Sequence, residues 1–296
     1  MDNSLISRRD FIATAATLAA LPSLAGSSAW ARGSSPSITL GVFAAYQHAA
    51  YLQSLGFGYI EEAVGRFLLP SETEAPYYEN RDVLQQEGFP IKSYVVLLPS
   101  AIKTVGPQAQ HQEALARTQL ALRRAKECGS SYIVFGSGGA RNIPEDFNRH
   151  EAKAQHIALC RQMAPMAEKY GITIAIEPLN RGETNFINSL AEGVEIVEAV
   201  KSPRVKLLCD IYHMLKEDEP ASEITKYGKH IVHCHIAEKA ERTPPGVMGD
   251  DFRPYLSALK QTGYRGGLSI ECFHYDDFSN QIRTGIAELQ KQINEV

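Results

Sequence analysis

The sequence has no surplus of positive charge. It carries 30 Lys and Arg against 34 Asp and Glu, for a formal net charge of −4 and an isoelectric point near 6.2. That leaves no basic footprint for nucleic acid or an anionic lipid surface. Long apolar runs are missing too. The N-terminal stretch Ala13 to Ala25 is interrupted by Thr, Ser and Pro, and it falls short of the roughly 20 residues that a spanning helix needs. No repeat of solenoid length and no long low-complexity tract is present. Cysteines number only five, Cys128, Cys160, Cys209, Cys234 and Cys272, and an odd count without paired spacing argues against a disulfide framework. Neither phosphate-loop pattern, GxxxxGK(S/T) or GxGxxG, occurs. The one Gly-rich stretch, Gly136-Ser-Gly-Gly139, reads as a tight turn after a strand.

What is present fits one large domain. The chain has 296 residues, 44% of them hydrophobic, enough for a sizeable core and a common length for a single α/β barrel. Ahead of it, Ser7-Arg8-Arg9-Asp10-Phe11-Ile12, the mild apolar stretch and Ala29-Trp-Ala31 have the order of a basic region, an apolar region and a small-x-small cleavage site. The paired arginines mark a twin-arginine signal over residues 1–31, predicting export and a periplasmic mature protein that begins near Arg32. The barrel is expected over 36–296.

Four short apolar runs in the second half organise that domain. They are Ile172-Thr-Ile-Ala-Ile-Glu177, Val205-Lys-Leu-Leu-Cys-Asp210, Ile231-Val-His-Cys-His235 and Leu268-Ser-Ile-Glu271. Each reads as a buried parallel strand. Side chains alternate along a strand, so Glu177 shares a face with Ala175, Asp210 with Leu208, His235 with His233 and Ile231, and Glu271 with Ser269. The opposite faces, including Cys209, Val232 and Cys234, are uniformly apolar and suit a covering of helices. Earlier strands are expected at 38–44, 58–62, 91–98 and 132–135. Helices are expected near 47–55, 82–87, 107–128, 149–170, 189–201, 221–228 and 251–263. Eight strands alternating with helices predict a single (β/α)8 barrel, which keeps its active site at the C-terminal ends of its strands.

The four runs end on three carboxylates and an imidazole. A single strand-end carboxylate is most often a salt bridge or a helix cap. Four consecutive strands aiming acids and a base at one rim point instead to a cation, because such groups packed alone repel and are costly to desolvate. Glu177, Asp210, His235 and Glu271 are therefore the expected ligands of one divalent metal ion. The oxygen-rich set suits Mn²⁺, Mg²⁺ or Co²⁺, with Zn²⁺ also admissible. His233 reads as a hydrogen-bonded core histidine. Glu61, at the end of the second strand, reads equally as a substrate contact or as the partner of a cation.

At these residues the chain resembles the xylose-isomerase-like barrel superfamily, above all its D-tagatose and D-psicose 3-epimerases and their hydroxypyruvate isomerase relatives. The resemblance rests on Ile176-Glu-Pro-Leu-Asn-Arg-Gly-Glu-Thr184, Cys209-Asp-Ile-Tyr-His213, His233-Cys-His235 with Arg242-Thr-Pro-Pro-Gly246, and Ser269-Ile-Glu271. It implies a metal held by the four ligands, with Glu177 and Glu271 as acid and base on opposite faces of the substrate. It also implies that Glu183, His213 and Arg242 bind substrate oxygens. The spacing from His235 to Arg242 is one residue longer than in those epimerases, so Arg242 is aligned through the Pro-Pro-Gly after it. Chemically, a Lewis acid stabilises the enediolate left when a proton alpha to a ketone is removed. A second acid can then return the proton from the other side.

The expected reaction is thus epimerisation or isomerisation of a keto-sugar. No cluster of Arg or Lys flanks the motifs, which favours an unphosphorylated substrate. A lyase or dehydratase on a keto-sugar, keto-glycoside or keto-inositol would share the first step. A non-catalytic periplasmic sugar-binding barrel would not require both glutamates. The superfamily's multi-zinc DNA endonuclease needs further histidines, and strands two and three have none, nor has the stretch between His235 and His274. The expected partner is a small carbohydrate, with neither nucleic acid nor a membrane anchor; a homo-oligomer is left open.

Overall fold

The computed structural model describes residues 38–296, so the predicted signal over 1–31 lies outside the described residues. Along the chain run β1 (Thr39–Phe43), α1 (Ala49–Ser54), β2 (Tyr59–Ala63), α2 (Glu74–Glu87), β3 (Ile91–Val95), α3 (His111–Glu127), β4 (Tyr132–Phe135), α4 (Gly138–Arg141) and α5 (Arg149–Tyr170). Then come β5 (Thr173–Ile176), α6 (Leu190–Val200), β6 (Val205–Asp210), α7 (Ile211–Lys216), α8 (Ser222–Tyr227), β7 (Ile231–Ile236), α9 (Arg253–Gln261), β8 (Gly267–Ile270) and α10 (Phe278–Asn294). Each strand pairs in parallel with the next, and β8 returns to β1, closing the barrel.

The alternation read from sequence sorts the core into two layers. Phe43, Val95, Val134, Ala175 and Leu208 form a plug inside the barrel. Ile174, Ile176, Leu207, Cys209, Cys234, Leu268 and Ile270 belong to the larger core between strands and helices. Burying an Ile or Leu side chain is worth about 1.5–3 kcal/mol, so this outer layer carries much of the stability. The five cysteines are free, and Cys209 and Cys234 are buried as small apolar side chains.

The alternation breaks at one place. Between β6 and β7 the register jumps from Leu207↔Ile231 to Leu208↔His233. The extra residue, Val232, packs against the inner plug, while Ile231 joins the outer core. This reverses the faces expected for those two residues, as a bulge does. His233 and His235 keep their inward aim because they lie beyond the bulge.

Other boundaries differ for local reasons. β3 ends at Val95 rather than at 98 because Val96 takes φ +59°, a left-handed conformation that is costly for a β-branched residue and ends the extended strand. The stretch Val64–Leu68 forms a helical turn, and α2 starts earlier than expected, at Glu74. The structure adds α10, which buries Ile282, Ile286 and Leu289 along one face. Asn148 and Ser189 cap α5 and α6 through their side chains, and α5 stops at Gly171 with φ +71°.

After α7, the half-buried Glu219 carboxylate accepts the Leu190 N–H at 2.9 Å. Burial, opposed by that hydrogen bond, pushes its pKa up from 4.5 to about 7. The folded protein therefore holds this proton more tightly than the unfolded chain. The stability it contributes is full below about pH 4.5 and is lost as pH rises through 7. Glu219→Gln keeps an acceptor but cannot ionise. Relative to wild type it should be neutral at pH 4 and stabilising by about 1–2 kcal/mol at pH 8, after allowance for solvent screening. Urea midpoints of both proteins measured across that range check this, and parallel curves would refute it.

Candidate metal centre and active site

Glu177 and Glu271 directly follow β5 and β8, Asp210 ends β6, and His235 lies near the end of β7. Strand register sets Asp210 beside His235 and His235 beside Ser269. The four predicted ligands are thereby brought together, all buried, with donor atoms within 4.8 Å of one another. His235 Nδ1 lies 3.0 Å from Glu177 Oε1 and 3.4 Å from Glu271 Oε2. Asp210 does two jobs. Its Oδ1 caps α7 by accepting the Tyr212 N–H at 2.8 Å, while its Oδ2 is buried with no hydrogen-bond partner. That orphaned oxygen, in a buried set of three carboxylates and an imidazole, is what a divalent cation would satisfy, so these residues fit the metal that the sequence implies.

The acids are tuned apart. Burial, reinforced by the nearby Glu271 charge, raises the pKa of Glu177. Burial also pushes Glu271 up, but the charges of His235 and Arg242 outweigh it and hold that carboxyl at about 2. Burial, opposed by Arg242, leaves Asp210 at about 7. Two facing glutamates of unequal proton affinity are a usual mark of acid and base roles.

The three residues aligned with substrate contacts reach the same rim. His213 Nδ1 accepts the Asn180 N–H at 3.1 Å. Burial and the Arg242 charge keep its pKa well below 6.5. The ring is therefore neutral and carries its proton on Nε2, which faces Asp210 Oδ2 at 3.4 Å. Arg242 pairs with Glu271 at 2.6 Å and Glu183 at 3.1 Å, and its guanidinium lies between the Tyr212 and Phe273 rings, 4.5 and 4.6 Å from their centres. A cavity of about 310 Å³ opens over this group, lined by Val96, Glu177, Glu183, Arg242, Glu271 and Phe273 among others.

Several site residues carry no sequence signal of their own. Glu238, fully buried, accepts the backbone N–H groups of Gly246, Met248, Gly249 and Asp250 and the Thr243 hydroxyl. It folds the loop that presents Arg242, itself held at φ +52°. Arg141 is a fully buried cation whose hydrogen bonds go to the carbonyls of Phe135, Glu177, Phe186 and Ile187, bracing the segment after β5. Gly136 is small for a reason: a methyl there would run into Glu177 Oε2. Gly136 and Ser137 make a tight turn between β4 and α4, which Gly138 and Gly139 open, and the turn leaves room for the Glu177 carboxylate. Glu61 lies inside the barrel against His233 and His235.

A closed parallel barrel with acids and a histidine converging at the C-terminal ends of its strands defines a (β/α)8 protein with a candidate metal centre. Residues 49–292 match the xylose isomerase-like TIM barrel family model, and the chain belongs to that family. Among its relatives is an L-ribulose 3-epimerase of Methylomonas sp., 33% identical over 154 residues, which are 52% of this chain and 51% of that protein. A Synechocystis protein described as a "probable ketose 3-epimerase" is 26% identical over 218 residues, 70% of this chain and 74% of that one. Among solved structures, the E. coli 3-keto-D-glucoside 4-epimerase superposes with a TM-score of 0.74 at 19% identity, covering 86% of this chain and all of that one. A D-psicose 3-epimerase crystallised with D-fructose superposes with a TM-score of 0.70 at 20% identity, covering 87% and 96%. These superpositions establish the shared fold. Among the described residues no helix is long and apolar enough to cross a membrane.

Proposed function

We propose that the protein is a divalent-metal-dependent epimerase or isomerase of an unphosphorylated keto-sugar or related polyol, acting by proton abstraction alpha to the carbonyl. The observation that carries this reading is the pair Glu177 and Glu271, both within 3.4 Å of His235 Nδ1, unequal in proton affinity, and both lining one cavity. The relatives named 3-epimerases support it. Glu177, Asp210, His235 and Glu271 would hold the metal, which supplies Lewis acidity to the carbonyl side of the substrate. One glutamate takes the alpha proton and the other delivers one to the opposite face. His213 donates its Nε2–H to a substrate oxygen, while Arg242 and Glu183 orient the hydroxyls at the mouth. Phe273 and the aliphatic wall at Val96 shield the reacting carbon from water. Export by the twin-arginine route belongs to the same proposal, and cell fractionation with Arg8→Lys/Arg9→Lys as the control tests it.

Incubating the Mn²⁺-loaded protein with ketoses, keto-glycosides and keto-inositols in D₂O, then removing the metal before NMR, tests the activity. Deuterium beside the carbonyl of an epimer or isomer is the expected result. Loss of a β-substituent would replace the reading with a lyase, and absence of exchange across the panel despite bound metal would favour a binding protein. Gly136→Ala gives a steric check. The backbone there is not left-handed, so the cost falls on the displaced Glu177 carboxylate. Misplacement on the ångström scale should lower kcat about 100-fold with the circular dichroism spectrum retained. A kcat within threefold of wild type would show that Glu177 has slack.

A further inference from the structure

Beneath the candidate metal centre lies a second buried polar cluster with no role so far. Glu61 is fully buried inside the barrel, at the point where the β2–β3 register slips between Ile60 and Glu61. One of its oxygens, Oε1, contacts His233 Nε2 and accepts the Ser269 hydroxyl at 2.7 Å. Ser269 Oγ in turn lies 2.8 Å from the Tyr59 hydroxyl, and the Tyr132 ring stacks on His233 at 5.3 Å. The carboxylate is therefore clamped from two strands, β7 through His233 and β8 through Ser269. Its other oxygen, Oε2, stands 2.8 Å from His235 Nε2. That approach is close but lies off the line of the N–H, since neither atom has a hydrogen-bond partner of good geometry. The other face of the same imidazole, Nδ1, looks into the group formed by Glu177 and Glu271.

Resting on the metal-centre reading above, we propose that Glu61 is a positioning residue: it holds the Nε2–H of His235 so that Nδ1 is left bare and aimed at the metal. An imidazole ligates only through a nitrogen without a proton, and a carboxylate on the far nitrogen fixes both tautomer and ring plane. Among the described residues, Glu61 Oε2 is the carboxylate oxygen paired with Nε2. His233 is engaged with the same carboxylate through its own Nε2. The neighbouring backbone N–H and C=O groups of β6–β8 are committed to strand pairing. The clamp by Ser269 and His233 explains why so costly a buried carboxylate is retained. It keeps Glu61 from rotating away when the metal arrives, and it reaches the metal centre only through His235.

The experiment measures metal affinity rather than turnover. Mn²⁺ is titrated calorimetrically into metal-free wild type, Glu61→Gln and Glu61→Ala, and the melting temperature of each metal-free protein is recorded alongside. The expected result is one site in wild type and an affinity lower by about 10–100-fold in both variants, a larger change than any loss of metal-free stability accounts for. Unchanged affinity with a lowered melting temperature would overturn the proposal and leave Glu61 a packing residue. Two Mn²⁺ per wild-type chain would overturn it differently, making Glu61, His233 and His235 ligands of a second ion. Should neither variant fold, wild type ¹⁵N-labelled at histidine and loaded with Mg²⁺ decides: a proton on His235 Nε2 supports the proposal and one on Nδ1 overturns it. Absence of any metal binding by wild type would overturn the underlying metal-centre reading, and this inference with it.

Discussion

Glu177→Gln and Glu271→Gln are each expected to lower kcat by about 10²–10⁴-fold, the usual range for a lost acid–base group. Gln preserves the shape and one oxygen but neither takes nor delivers a proton at neutral pH. The two variants should differ in a second respect. Glu271 is paired with Arg242 at 2.6 Å, so neutralising it also releases the guanidinium from its place at the mouth, and KM should rise. Among the described residues no Lys or Arg pairs with the Glu177 carboxylate, which lies 3.0 Å from His235 Nδ1, so its loss should fall almost wholly on kcat. Steady-state kinetics on the substrate identified by D₂O exchange separates the two. Turnover within tenfold of wild type in both variants would remove the glutamates from the acid–base role.

Metal removal is the second large effect. Exhaustive dialysis against a chelator should abolish turnover, and returning Mn²⁺ should restore it. At about 100 times its dissociation constant, a ligand that binds only the folded state adds about 2.7 kcal/mol. For a domain of this size that is a rise in melting temperature of roughly 5–10 °C. Asp210→Asn should erase this increment, because the unpartnered Oδ2 is the oxygen it changes or neutralises. The cap on α7 would survive, since Asn accepts the Tyr212 N–H equally well. A metal-induced shift of unchanged size in Asp210→Asn would exclude Asp210 as a ligand. Loss of the shift together with a collapsed metal-free melting temperature would mean that the cap, not the ligand, had failed.

The second half of the barrel was legible in the sequence because strand-end chemistry and strand periodicity coincide there. A run such as Ile172–Ile176 followed by Glu177 states its own face assignment, and parallel pairing does the rest. The first half offered less. Its strands were locatable from their apolar runs, but Val96 ends β3 by a backbone conformation that no composition signals, and α10 follows a strand after which no helix was expected. The one wrong face assignment, at Ile231 and Val232, came from a bulge whose cause lies in the pairing of β7 with β6. A single strand read alone cannot display it.

By itself the sequence determined the eight-strand order, the two-sided burial of the strands and the convergence of Glu177, Asp210, His235 and Glu271. These follow from alternation and hydrophobic periodicity, which are local. Only the tertiary structure decided what surrounds those ligands. Glu61 meets His235 across 174 residues of chain, Arg141 braces the carbonyl of Glu177 from the end of α4, and Glu238 gathers four amides from a loop beyond its own strand. Such buried polar partnerships depend on which atoms closure of the barrel brings within hydrogen-bonding distance. They leave no periodic trace, because a carboxylate or guanidinium in the sequence reads the same whether water or a distant strand satisfies it.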